Sequence, residues 1–393
     1  MAIIDGTLAG LARTNDQDVV FDCDIAQEIE GVAASQHMTR PFVLHARSLS
    51  SSTCIKDITD RHPDWHYCSY AAAHAPLETV RSAIEAYRSS GADGIVTLGG
   101  GSVSDTGKLI KLSQAVSGPA FEALADGRHR SYLAARQGDS SNAVAIPLVC
   151  VPTTLSQAEF SDIVGMSVPT KEKHVLQIPE LLPNMVLLDP ALAASTPDKL
   201  WIATGIKAID TGIYFLAGIP DDAELPLRLI CETLWTLADL MSEPATRRHD
   251  CAVISQLQKS AWFLTWVRSI ARYDRRIATS AWPGAIIRHQ IGAYLGLGHG
   301  EISAIVAPAL LRTDAIVNGS VGRKLAKLRG MDAANRLAAK IEVISTAWSI
   351  PTHLSRATLT EAQVETLSGH IASEGAGTWG ASDLRQFLEN MIR

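Results

Sequence analysis

The sequence has little cysteine and arranges none of it for metal or redox work. Its six cysteines, Cys23, Cys54, Cys68, Cys150, Cys231 and Cys251, form no C-x-x-C pair and no zinc-type spacing. They read as reduced, mostly buried thiols. No apolar run approaches the roughly 20 residues that span a bilayer. The opening MAIIDGTLAGLARTNDQD lacks a basic segment followed by an uninterrupted apolar stretch, so it makes a poor signal peptide. Excess positive charge is also missing. A formal net charge of -6 gives no electrostatic reason to expect nucleic acid or an anionic membrane as partner. The expected setting is the cytoplasm, and the expected ligands are small molecules.

What is present suits a well-buried enzyme: 47% of residues are hydrophobic and 19% charged. At 393 residues the chain exceeds the size at which one core keeps growing, so two domains are expected. The first half alternates short β-rich runs, at 42–46, 66–70, 94–98 and 147–151, with amphipathic stretches such as Leu77 to Tyr87 and Val103 to Val116. This is the pattern of βαβ units around a parallel sheet. SDIVGMSV and KHVLQI, separated by PTKE, predict an inserted hairpin, and MVLLDP closes this half near residue 190. Beyond it long helical patterns dominate: Pro197 to Ala217, Glu224 to Met241, Val253 to Tyr273 and Glu301 to Ile316. A helical domain following an α/β domain, with a cleft between them, is the expected architecture.

GIVTLGGGSVSDTGK sets Gly99, Gly100 and Gly101 directly after an apolar strand and before a helix. Glycines there permit positive φ and let backbone N–H groups approach a pyrophosphate, while the helix directs its positive end at the anion. Ser102 is placed to cap that helix or to donate to a phosphate oxygen. A triple glycine alone leaves an ordinary strand-to-helix turn equally open.

The wider pattern GGGSxxDxxK, with Asp105 and Lys108, resembles the signature of the iron-containing (group III) alcohol dehydrogenase family. Further similar segments follow in order: PTTLSQAE at 152–159, Lys173 before HVLQIPELLP, MVLLDPAL, ATGIKAI, HQIGAYLGLGHG at 289–300, and SDLRQFLENM. The resemblance implies a Rossmann-like dinucleotide-binding domain over 1–190 and an all-helical substrate domain over 191–393, an architecture shared with dehydroquinate synthase. It also implies NAD or NADP held by Gly99, Gly100, Gly101, Ser102, Asp105, Thr153, Thr154 and Lys173, and commonly a homodimer. Many members carry an Asp after the second strand that binds the adenosine ribose. Here Ala46 stands at that place with Arg47 beside it. Loss of the carboxylate removes repulsion and an Arg pairs well with a 2′-phosphate, although a plain surface Arg is the alternative.

In the family an Asp and a His one helical turn apart join two later histidines to hold a metal. The corresponding residues here are Lys207, Thr211, Ala285 and His299, and only the last is a ready ligand. Asp210 falls on another helix face, so no catalytic metal is expected. The maleylacetate reductase branch resembles this chain more closely, because its members commonly lack the full ligand set and reduce an activated substrate without metal. That branch usually keeps a His where Thr211 lies. Lys207 is then the candidate stand-in for the ion, or a carboxylate anchor, since an ammonium supplies charge and a donor to a developing oxyanion. The structural alternative pairs Lys207 with Asp210. His289 is the candidate proton donor with His299 as its orienter, against the more common structural histidine. Arg288 and Arg312 are either anchors for an acidic substrate or solvated surface residues. The leading expectation is a metal-independent NAD(P)H-dependent reductase of a small activated carbonyl or enone. A lyase, dehydratase or cyclase reusing the former metal pocket, and a silent nucleotide-binding relative, are the competing readings.

Overall fold

The computed structural model describes residues 11–14, 17–71, 75–116, 118, 121–122, 146–167, 173–355, 359–373 and 379–392. The chain forms two compact units, Met1–Thr196 and Pro197–Arg393.

The first unit is built on a seven-stranded sheet in the order β1-β2-β9-β6-β5-β3-β4. Its strands are β1 (Leu11–Thr14), β2 (Gln17–Phe21), β3 (Pro41–Ala46), β4 (His66–Ala71), β5 (Gly94–Gly99), β6 (Leu148–Pro152) and β9 (Met185–Leu188). Only β1 runs antiparallel to its neighbour; the other six strands are mutually parallel. Strands β5, β6 and β9 are buried along their whole length, as parallel strands covered on both faces must be, which is why they read as apolar runs interrupted only by Thr97 in β5. On one face Val20, Val43, Val96, Val149 and Leu187 pack with Ile25, Ile29, Ile55 and Ile58 from helices α1 (Ile25–Ser35) and α2 (Thr53–Arg61). The inserted hairpin is present as β7 (Ile163–Ser167) and β8 (Lys173–Gln177), paired antiparallel. Its PTKE connection lies outside the described residues. Strands β1 and β2 were not anticipated, because two short mixed runs, LART and QDVVF, carry little periodic signal; β2 is held in the sheet by parallel pairing with β9.

The connections place a functional edge. From β3 the chain passes through α2 to β4 on one side, then crosses through α3 (Leu77–Ser90) to β5 on the other side of β3. The carboxyl ends of β3 and β5 therefore flank the switch in strand order, where sheets of this kind bind ligands. Helix α4 (Gly101–Ala115) begins there. After β9, a short helix α5 (Pro190–Ala194) and Thr196, whose hydroxyl donates to the Thr153 carbonyl at 2.6 Å, belong with this unit.

The second unit is helical among its described residues. Its central element is α6 (Asp198–Gly218), followed by α7 (Glu224–Met241), α8 (Cys251–Ile270), α9 (Arg275–Ala281), α10 (Gly284–Leu295) and α11 (His299–Leu311). Helix α6 is the one described helix long and apolar enough to cross a bilayer, and 72% of its apolar window is buried, as for a core helix. Its carbonyl end is capped by Lys324, whose Nζ donates to the carbonyls of Leu216, Ala217 and Ile219 at 3.1, 3.2 and 2.6 Å. Helices α6 and α11 touch backbone to backbone: a Cβ on Gly300 would lie 2.2 Å from the Ala203 carbonyl oxygen. The helix expected over 301–316 starts earlier, at His299, and breaks at Arg312 before the short Asp314–Val317 helix.

Candidate active site

At the end of β5 the backbone turns through Gly99 with φ +154°, a conformation that favours glycine. A Cβ there would sit 2.6 Å from Val103 Cγ2 and 3.0 Å from Ala46 Cβ. The next two glycines lie against the loop after β6, where added Cβ atoms would meet Thr154 Cγ2 at 3.1 Å and Ser156 Oγ at 2.9 Å. The glycine turn thus brings together Gly99, Gly100, Gly101, Ser102, Thr153 and Thr154 at the head of α4. Thr153 N donates to the Gly99 carbonyl at 2.9 Å. The Thr154 hydroxyl oxygen is buried without a hydrogen-bond partner.

Behind the turn, Lys108 is fully buried and donates to the carbonyls of Ala158 at 2.6 Å and Ile163 at 2.8 Å. It pins the loop after β6 to α4, a structural duty invisible in the motif alone. Asp105 faces Lys108 at 3.8 Å. Ala46 ends β3 beside Gly99, and the exposed Arg47 opens a single 3-10 turn from there. Lys173 opens β8, and its side chain lies outside the described residues.

In the second unit α6 is buried on most sides and half-open along one stripe, Thr204, Lys207, Thr211 and Tyr214. The Thr211 hydroxyl turns back onto its own helix and donates to the Lys207 carbonyl at 2.8 Å. Tyr214 pairs with Thr279 of α9 at 3.1 Å. Asp210 sits on the closed side, fully buried, where Trp282 Nε1 and Ser303 Oγ each donate to it at 2.7 Å and the Arg288 guanidinium forms an ion pair with it. The carboxylate is therefore engaged by Trp282, Arg288 and Ser303, which replaces the Lys207–Asp210 pairing considered from spacing. Arg288 is only 5% exposed, so it is neither a solvated residue nor one open to a substrate. Arg312 is clasped by Glu342 through two bonds of 2.6 Å.

His289 on α10 and His299 at the start of α11 meet edge to face, with ring centroids 4.6 Å apart and planes at 88°. Ala285 stands one turn before His289, half-buried. Among the described residues no group of three or more His, Cys, Asp or Glu side chains is placed to hold a metal ion. The donor chemistry at Lys207, Thr211 and Ala285 does not fit the iron-binding pattern. Sequence reasoning missed the Asp210 cluster, although an Asp on the apolar side of a buried helix already demands a partner.

A family model described as "Iron-containing alcohol dehydrogenase" matches residues 16–190. Over these residues the chain is similar to the iron-containing alcohol dehydrogenase family. Among similar proteins, Dehydrogenase ALT3 of Alternaria alternata is 32% identical over 250 residues, covering 61% of this chain and 62% of that protein. Dehydrogenase FUM7 of Gibberella moniliformis is 30% identical over 300 residues, covering 70% and 66%. Maleylacetate reductase of Rhizobium sp. is 25% identical over 263 residues, covering 67% and 63%. The chain thus spans slightly less than two thirds of the length of these relatives. Its fold is shared with solved structures: maleylacetate reductase from the Rhizobium strain, with TM-score 0.66 at 19% identity over 98% of this chain and 97% of that one, and NADH-dependent butanol dehydrogenase A from Thermotoga maritima, with TM-score 0.78 at 17% identity over 98% and 99%.

Proposed function

We propose that this protein is an NAD(P)H-dependent reductase that works without a catalytic metal on a small, already polarised carbonyl or enone, a carboxylate such as maleylacetate being the model substrate. One observation carries the reading: the glycine turn after β5 packs against the Thr153–Thr154 loop at the head of α4, while three of the family's four ligand positions hold Lys207, Thr211 and Ala285. The cradle fits a dinucleotide. Its glycines pack where a Cβ would press on Val103, Thr154 and Ser156, its helix start directs the positive end of α4 at a diphosphate, and the Thr154 hydroxyl is buried without a hydrogen-bond partner. Gly99, Gly100, Gly101, Ser102, Thr153 and Thr154 would hold the cofactor, with Arg47 on the side of the adenosine ribose. Among the solved structures of similar fold, sulfoacetaldehyde reductase from Bifidobacterium kashiwanohense was solved with NAD+.

A bound reduced nicotinamide supplies hydride. Lys207 then steadies negative charge developing on the substrate oxygen, His289 delivers the proton and His299 orients it. Lacking a divalent ion, such a site suits substrates polarised in advance rather than simple alcohols. The test is oxidation of NADPH and NADH by chelator-treated protein with maleylacetate and a panel of activated ketones. Turnover supports the reading, and no oxidation with any of them overturns it. In an active enzyme Arg47→Ala should weaken NADPH about tenfold more than NADH, the size of a lost charge-assisted hydrogen bond.

A further inference from the structure

Three helices of the second unit carry the candidate chemistry, and one buried carboxylate ties all three together. Asp210 lies on α6, three residues beyond Lys207. Its partner Arg288 lies on α10, directly before His289, and its partner Ser303 lies on α11, one turn after His299. Trp282, just ahead of α10, donates its indole N–H to the other carboxylate oxygen. Asp210, Trp282 and Ser303 are fully buried and Arg288 nearly so. Small residues let the helices close on this point: a Cβ on Gly284 would fall 2.7 Å from the Trp282 indole nitrogen, and Gly300 packs onto the Ala203 backbone.

A buried ion pair is a poor device for stability alone, since apolar side chains of similar volume do as well; what it fixes is position. The geometry points to Asp210 as a positioning residue that sets the edge-to-face His289–His299 pair and its register against the Lys207 stripe, and we propose this role for it. The inference rests on the reductase reading only for its kinetic consequence, not for the geometry.

Ser303→Ala removes one arm of the cluster, and Asp210→Asn removes its charge while keeping its shape. Both are measured in the full chain by histidine ring NMR, thermal melting and, where the wild type turns over, kcat and KM. Ring-current shifts report the mutual orientation of the two imidazoles. Expected for Ser303→Ala are displaced His289 and His299 resonances, an unmoved His66, and kcat lowered by roughly ten- to a hundredfold at unchanged cofactor KM, the scale of a small misplacement of reacting groups. Unmoved His289 and His299 resonances in folded Ser303→Ala protein overturn the proposal, and so does unchanged kcat in an active enzyme. Should Asp210→Asn fail to fold, Ser303→Ala decides alone. Should the wild type reduce nothing, the reductase reading fails and the NMR result still judges the positioning role.

Discussion

Gly99 concentrates what the cradle requires of one residue. Its φ of +154° and the 2.6 Å approach of a would-be Cβ to Val103 together exclude any side chain. Gly99→Ala should therefore cost about 1–3 kcal/mol of stability. It should also weaken NADH binding at least about tenfold, because the displaced amides no longer converge on the diphosphate. Fluorescence titration and urea unfolding measure the two effects separately, and undiminished affinity would remove the glycine turn from the site. Lys207 poses a different case, a half-buried residue on the partly open stripe of α6. Lys207→Ala should leave NADH affinity and melting near wild type while kcat falls roughly a hundredfold, the usual loss for one oxyanion donor. A variant with full kcat would leave Lys207 no part in turnover. The partner of Asp210 could not be read from the chain, since its ion pair spans 78 residues and its bond from Ser303 spans 93. Spacing suggested the nearest cation, Lys207, but burial selected Arg288.

At the scale of elements, the sequence was legible wherever one period dominated. The apolar runs at 42–46, 94–98 and 147–151 are β3, β5 and β6 within a residue or so, because strands buried on both faces are predominantly apolar, with His45 and Thr97 the polar exceptions. Less was legible where tertiary contact sets the limit, as for β2, recruited by β9, and for the break of the long helical pattern at Arg312. Helix α4 shows a further cost hidden from periodicity. Lys111, 3% exposed, donates to the Asn184 Oδ1 at 3.3 Å, and burial pushes its ammonium down to about 8. Between about 8 and the ordinary 10.5 the unfolded chain binds this proton and the folded chain does not, so the lysine makes stability rise with pH across that window. Lys111→Met should flatten that part of the profile and stabilise the protein at pH 7 by about 1–3 kcal/mol. Chemical unfolding of both proteins at several pH values checks this, and parallel profiles would contradict it.

For the molecule as a whole, the reductase reading divides the work between a first unit built to hold a nucleotide and a second unit that offers charge and protons. The donor set in the second unit predicts that exhaustive chelation leaves turnover unchanged, with less than stoichiometric iron or zinc by elemental analysis. Activity lost on chelation and restored by either ion would show that a metal centre exists after all. The Asp210 cluster has one more consequence. Trp282 is one of eight tryptophans, yet its indole is completely buried and hydrogen-bonded to a carboxylate that is itself ion-paired. Indole emission follows the local field, so the difference spectrum between the wild type and Trp282→Phe isolates an optical signal arising between α6, α10 and α11. Any ligand that shifts those helices announces itself in that signal, and the protein can be screened against unlabelled compounds by its own light.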